Sequence, residues 1–117
     1  MNNKKHISAE NFFHKKPDNL NCAQSILKAY QEEFSISESE IEAFKAYGGG
    51  KVEGGICGAL FAAEKLIEKK GLKYISEEFE NRVGSVLCKC IKARKYPCSY
   101  CVQIADELVY EQLIKNR

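Results

Sequence analysis

The chain has 117 residues, the length of one domain, and its apolar and charged fractions of 44% and 29% are those of an ordinary globular protein. No stretch approaches the roughly 20 apolar residues of a membrane span, and a net charge of +2 lacks the basic footprint of a nucleic-acid-binding protein. The N-terminal segment has a basic flank without an apolar region behind it, so we predict no signal peptide and a cytoplasmic location.

Apolar residues recur at helical spacing from the first element onward. The first helix should begin near Asp18 or Asn19, either of which could cap it. Its buried stripe consists of Ala23, Ile26, Leu27, Tyr30 and Phe34. Ser37 and Glu40 then form a capping-box pattern that begins a short second helix. This helix should end at the three glycines 48–50, since glycine is a poor helix former.

A second pair of glycines at 54–55 precedes the third helix. Its first two turns, residues 56–63, carry no charge, which favours a central and fully buried position. Its stripe consists of Ile56, Ala59, Leu60, Ala63 and Ile67, with Leu66 at the edge and Gly71 at the end. A helix surface without charge is also typical of a subunit interface, so we expect a homodimer.

Two further stripes complete the chain. The fourth helix should bury Leu72, Ile75, Phe79 and Val83, and Gly84 should end it. The last helix should open at Pro97 and bury Val102, Ala105, Leu108, Val109 and Leu113. No segment shows sustained period-2 alternation, and no linker divides the chain. The sequence thus predicts one all-α domain over residues 1–117, a bundle of about five helices with a glycine-rich turn before a buried central helix.

The six cysteines are the residues most able to carry chemistry. A reducing cytoplasm would keep ordinary disulfides open, which leaves metal binding and redox cycling besides plain burial. Cys22, Cys57 and Cys98 each fall near the first turn of a predicted helix, where free amides and the helix dipole stabilise a thiolate. The thiolate attacks disulfides, binds zinc and binds iron, so this placement does not choose among the three chemistries.

The C-terminal cysteines also permit two local sites. Cys88, Cys90, Cys98 and Cys101 form C-x-C-x7-C-x2-C, which could close a tetrathiolate zinc site. Cys98 and Cys101 alone form a C-x-x-C pair at a helix start, which could act as a redox-active dithiol. The basic residues among these cysteines could lower thiol pKa values or simply form a solvated loop; they are Lys89, Lys92, Arg94 and Lys95.

Four segments together resemble the redox-active proteins named for their C_GCAxxG_C_C cysteine pattern. The matching segments are Asn21-Cys22-Ala23-Gln24-Ser25, Gly55-Ile56-Cys57-Gly58-Ala59, Val83-Gly84-Ser85-Val86-Leu87-Cys88, and Cys98 ahead of Cys101-Val102. The chain departs from the pattern at Ala62, where the family motif usually carries glycine. The resemblance implies a redox role without a defined substrate, and it selects Cys22, Cys57, Cys88 and Cys98 as the main set. Related domains occur in split-Soret cytochromes, where an iron–sulfur centre accompanies the haems.

Three functional hypotheses follow. The first is an iron–sulfur cluster, with [2Fe-2S] favoured, held by the four main cysteines for electron transfer to an unknown redox partner protein. The second is metal-free thiol–disulfide chemistry, at Cys98 and Cys101 or at Cys22 and Cys57. The third is a structural zinc site in an interaction module, using the local C-terminal set. We expect no nucleic-acid or membrane partner, and an enzymatic oxidoreductase activity stays open.

Overall fold

Helices make up nearly all regular structure in the computed structural model, which describes residues 8–14, 19–48 and 51–115. The α-helices are α1 (Cys22–Ala29), α2 (Gln31–Phe34), α3 (Glu38–Ala43), α4 (Gly58–Lys70), α5 (Ser76–Val83), α6 (Cys88–Ala93) and α7 (Cys98–Lys115). Three 3-10 turns span Ala9–Asn11, Phe44–Tyr47 and Glu53–Gly55. Over these ranges β-structure is limited to two isolated bridges, Phe13 with Leu20 and Ile56 with Leu87. The predicted all-α class is confirmed.

The described part of the chain has more helices than the predicted five because the first stripe is divided and a short extra helix forms. The backbone leaves the α conformation at Tyr30 (φ −112°, ψ 17°), so α1 ends there and α2 follows. The extra helix is α6, which lies in the cysteine-rich stretch.

The predicted cap of the first helix was wrong. Asn19 has φ 50° and lies outside α1, and Asp18 lies outside the described residues. Asn21 caps α1 instead: its side chain accepts from the Gln24 N–H at 2.8 Å, and the Gln24 side chain accepts from the Asn21 N–H at 3.1 Å. A reciprocal pair satisfies two helix-end amides at once, which explains why the helix begins at this residue.

At α3 one of the two hydrogen bonds of the predicted capping box is confirmed. Ser37 Oγ accepts a hydrogen bond from the Glu40 N–H at 3.1 Å. The Glu40 carboxylate instead pairs with Lys69 of α4, at 3.1 Å between Oε2 and Nζ. The chain then tightens into the 3-10 turn Phe44–Tyr47 and leaves it at Gly48.

Helix α4 is the central helix that the sequence predicts, and it packs against α1 and α7. Its fully buried side chains are Ala59, Leu60, Ala62, Ala63, Leu66 and Ile67, so Leu66 lies in the core rather than at the edge. Gly71 ends the helix at φ 65°, in the left-handed region that favours glycine. Burial within one chain already accounts for the uncharged turns, and the homodimer stays a prediction.

The remaining helices close the core around α4. Ile75, Phe79 and Val83 are buried at α5, as predicted, and Gly84 follows at φ 99°. Helix α7 buries Val102, Ala105, Leu108 and Val109, while Leu113 is only partly buried. Within the described ranges, none of the helices combines the length and the apolar character that crossing a membrane requires.

Candidate functional site: a cavity lined by five cysteines

The N-terminal ends of four helices meet at one small cavity. Its lining consists of Cys22, Cys57, Gly58, Cys88, Ile91, Lys92, Tyr96, Cys98 and Cys101. The cavity volume is about 20 Å³, which is room for about one water-sized group. Five of the six cysteines of the chain therefore share one space, although they are spread over eighty residues of sequence.

Each of the four main cysteines lies at the beginning of a helix. Cys22, Cys88 and Cys98 are the first residues of α1, α6 and α7, and Cys57 is the N-cap of α4. The sequence predicted this placement for three of them, and the short helix α6 adds Cys88. The first amides of a helix have no intrahelical acceptor, so they present partial positive charge to these sulfurs.

Cys57 is held by backbone contacts on both sides. Its N–H donates to the Val86 carbonyl at 2.8 Å, which joins the start of α4 to the segment ahead of α6. The backbone amides of Leu60 and Ala59, in the first turn of α4, lower the pKa of Cys57, although its side chain makes no capping hydrogen bond to the helix. The loop that carries Cys57 is thus tied to the one that carries Cys88.

Cys57 and Cys101 form a hydrogen-bonded pair of thiols. Both side chains are buried, and Cys57 donates to the sulfur of Cys101. This bond, followed by burial, raises the pKa of Cys57 far above its ordinary value despite the two backbone amides. The same bond lowers the pKa of Cys101, against burial and the neighbouring cysteines. Of the two thiols, Cys101 is therefore the one that loses its proton more readily.

Cys98 stands nearer to solvent than this pair. Burial raises the pKa of its thiol, while the positive charge of Lys92 acts in the opposite direction. Tyr96 and Tyr100 stack beside it, with ring centroids 5.2 Å apart. Lys92 is an exposed cation that lines the mouth of the cavity, whereas Lys89 and Arg94, which are exposed on the same short helix and the turn after it, do not line it.

Gly58 lets two of the cysteines approach each other. A Cβ atom at this position would lie 2.8 Å from the sulfur of Cys22 and would also overlap the carbonyl oxygen of Tyr47. Both contacts would be closer than van der Waals contact allows. Only glycine at position 58 therefore permits the sulfur of Cys22 to lie beside the start of α4. The glycine that follows Cys57 in this chain therefore has a steric reason.

The four cysteines that the sequence predicted as the main set lie around one cavity, together with one further cysteine. Cys22, Cys57, Cys88 and Cys98 all line the cavity, and Cys101 joins them. Cys90 is not part of the lining, so the local zinc set with Cys88, Cys90, Cys98 and Cys101 is not assembled around this space. The i, i+3 spacing from Cys98 is the sequence signal that could have placed Cys101 on the same helix face.

Thiol groups suit a thiolate-ligated metal or cluster, and no carboxylate from the described residues lines the cavity. As the side chains stand, however, no three His, Cys, Asp or Glu residues within the described ranges are arranged to hold a metal ion. The donor chemistry therefore fits such a group, while its ligation would require the cavity to widen and the sulfurs to turn further toward one point.

The family model described as "Putative redox-active protein (C_GCAxxG_C_C)" matches residues 20–112. This range includes all six cysteines and every residue of the cavity. Comparison with curated proteins and with solved structures gave no match.

Proposed function

The chain belongs to the redox-active protein family defined by the C_GCAxxG_C_C cysteine pattern, and on that premise we propose that it binds an iron–sulfur cluster and transfers electrons. Cys22, Cys57, Cys88 and Cys98 are the proposed ligands, and [2Fe-2S] is the favoured cluster type. When bound, such a cluster supplies a centre that gains and loses one electron without bond-breaking in the protein.

One observation carries the proposal: four cysteines from four helix starts line the same cavity. Ligation by four thiolates concentrates negative charge, which an apolar interior disfavours unless partial positive charges face it. Helix N-termini provide such partial charges, and the ammonium group of Lys92 adds a full one. The buried residues Ile91 and Gly58 line the same space and limit its contact with solvent.

The proposed ligands differ in their freedom to adjust. Cys22 and Cys57 are buried at the starts of two core helices, whereas Cys88 and Cys98 are only partly buried. We infer that the first two provide a rigid half of the site, and that Cys88 and Cys98 turn toward it when the cluster binds. This accounts for a full set of thiols around the cavity without three of them already in a ligating arrangement.

Elemental analysis of anaerobically prepared protein tests the proposal. We expect iron and acid-labile sulfide, with visible absorption that dithionite bleaches, either as purified or after reconstitution with ferrous iron and sulfide. Absence of both iron and absorption after reconstitution would contradict it. Tightly bound zinc without iron would support the structural zinc site instead.

Serine substitutions identify the ligands. Replacing Cys22, Cys57, Cys88 or Cys98 should each reduce iron content strongly, because a hydroxyl is a much poorer ligand for iron–sulfur clusters than a thiolate. Cys90→Ser is the matched control, since Cys90 lies two residues from Cys88 on α6 but outside the cavity lining. If Cys90→Ser loses metal and Cys22→Ser keeps it, the ligand set is the local C-terminal one and the proposed set is wrong.

A further inference from the structure

Cys101 has a position that a four-cysteine cluster site does not require. It lies one turn into α7, is only 4% exposed, and shares the cavity with the proposed ligands. Its hydrogen-bond partner is Cys57, which is 5% exposed and comes from the start of α4. Two thiols from different helices thus face each other in a space closed to most of the solvent.

This pairing differs from those that the sequence suggested. Cys98 and Cys101 form the C-x-x-C pattern, but the hydrogen bond of Cys101 runs across to α4 rather than along α7. The Cys57 loop is also anchored by the bond from its N–H to the Val86 carbonyl, so the thiol is held in place opposite α7. A disulfide between them would require these two sulfurs, already in contact, to approach to the S–S bond length of about 2.05 Å.

We propose that Cys57 and Cys101 form a reversible disulfide when a small peroxide reaches the cluster-free cavity, and that this bond withdraws Cys57 from metal binding. The disulfide itself does not depend on the cluster. Its effect on metal binding rests on the proposed function, because only then is Cys57 a ligand.

The chemistry balances with hydrogen peroxide as the oxidant. One sulfur attacks the O–O bond, takes one oxygen as a sulfenic acid and releases the other oxygen as water after proton transfer. The second sulfur then attacks the sulfenic sulfur, the S–S bond forms, and the hydroxyl leaves as a second water. Two thiols and one peroxide thus become one disulfide and two waters. An external dithiol returns the two electrons by thiol–disulfide exchange and is itself oxidised to a disulfide.

The size of the cavity favours a small oxidant. With a volume of about 20 Å³, it has room for a group close to water in size. Hydrogen peroxide exceeds water by one oxygen atom, whereas a tripeptide disulfide is far too large to approach two sulfurs that are each about 5% exposed. We therefore expect the pair to react with peroxide in preference to oxidised glutathione.

Peptide mapping of the metal-free, full-length protein tests the disulfide. The protein is treated with chelator under anaerobic conditions, exposed to equimolar hydrogen peroxide, alkylated and digested with trypsin without reduction. Cys57 is the one cysteine of the tryptic peptide 52–65, while Cys98 and Cys101 both lie in the peptide 96–115. We expect these two peptides to be linked, to separate on reduction, and to show alkylated Cys98.

Two variants decide which cysteine is linked. Cys98→Ser should retain the link, and Cys101→Ser should abolish it, although both replace a cavity cysteine on α7. Links between other cysteines, or oxidation of single cysteines without any link, would overturn the proposal. Loss of the link in Cys98→Ser with its retention in Cys101→Ser would do the same.

Iron uptake tests the second half of the proposal. Peroxide-treated protein should take up less than about a tenth of the iron that the reduced protein binds, and prior reduction with dithiothreitol should restore uptake. If the linked protein binds iron as well as the reduced one, the disulfide does not withdraw Cys57 and this half is wrong. If reduced protein binds no iron while the link still forms, the proposed function fails and the disulfide stands.

Discussion

The absence of a side chain at Gly58 allows the reactive thiol of Cys22 to lie against the start of α4. The residue lies at the first turn of α4, where the sulfur of Cys22 and the carbonyl of Tyr47 occupy the space of its missing Cβ. Both neighbours belong to other parts of the fold, so neither can move without disturbing the cap of α1 or the 3-10 turn Phe44–Tyr47. The close approach of α1 to α4 at the cavity thus depends on a hydrogen atom in place of a methyl group.

We predict that Gly58→Ala destabilises the protein by about 1–3 kcal/mol, the range for overpacking a core. It should also make Cys22 react faster with a thiol reagent, because the displaced sulfur becomes more accessible. Urea unfolding and timed alkylation read by mass spectrometry measure the two effects. Gly71→Ala is the control: its added methyl meets no atom within 4 Å, and at φ +65° it should cost about 1 kcal/mol from backbone strain alone. A Gly58→Ala protein no less stable than this control would contradict the steric argument.

Among the elements, α1 connects helix capping to the position of a cysteine. Asn21 caps the helix immediately before Cys22, and its side-chain amide also donates to the Lys45 carbonyl at 3.0 Å. One side chain therefore satisfies the start of α1 and holds the 3-10 turn after α3 beside it. The local sequence thereby fixes both where the helix begins and where the first cavity sulfur lies.

Asn21→Ala should lower the free energy of unfolding by about 1 kcal/mol, the usual cost of losing an N-cap. It should also increase the alkylation rate of Cys22, since the first turn of α1 loses its anchor. Ser37→Ala is the matched control. It removes the N-cap of α3, where the Ser37 Oγ accepts a hydrogen bond from the Glu40 N–H. We expect a similar loss of stability there with no change at Cys22. Equal alkylation rates in the two variants would show that the cap does not position the cysteine.

On the scale of the whole molecule, a buried polar contact joins three distant segments. The Tyr30 hydroxyl donates to Asp106 Oδ1 at 2.6 Å, and the Ala9 N–H donates to Asp106 Oδ2 at 2.7 Å. The N-terminal 3-10 turn, the end of α1 and the middle of α7 are thereby connected inside the core. Burial, and then the neighbouring carboxylate, raise the pKa of Tyr30.

This raised pKa predicts a loss of stability in alkaline solution. Below the unfolded pKa of about 10, Tyr30 is neutral in both states and its contribution is fully present. Above it the unfolded chain ionises while the folded one does not, so wild type loses up to about 1.4 kcal/mol per pH unit from this residue.

Tyr30→Phe should be less stable than wild type near neutral pH by about 1–2 kcal/mol, because one buried hydrogen bond is lost. The difference should shrink as pH rises above about 10, since phenylalanine does not titrate. Urea unfolding across this range measures both effects. Tyr74→Phe, at a side chain 60% exposed, should change stability by less than about 0.5 kcal/mol. A difference between Tyr30→Phe and wild type that stays constant with pH would contradict the prediction.

Much of the fold could be predicted because helical periodicity is a local property. The stripes of α4, α5 and α7 are buried as the spacing predicts, except for Ile56, Leu72 and Leu113, which are only partly buried. Ser37 and Gly71 act as cap and helix end. The errors occurred where several local choices compete. Asn19 and Asn21 are the same residue type, and only the reciprocal bond with Gln24 selects the second.

The sequence by itself determined the all-α class and the helix starts of three cysteines, and through its resemblance to the family pattern it predicted the four cysteines that are proposed as ligands. Only the tertiary structure decided that these residues share one cavity with Cys101, that Cys90 lies outside it, and that Cys57 rather than Cys98 is the partner of Cys101. The physical reason is that periodicity specifies which face of a helix is buried, whereas the meeting of α1, α4, α6 and α7 depends on packing between segments far apart in the chain. Gly58 illustrates both contributions. The sequence shows that this residue lacks a side chain, but only the tertiary structure shows that the sulfur of Cys22 occupies the space that a side chain would need.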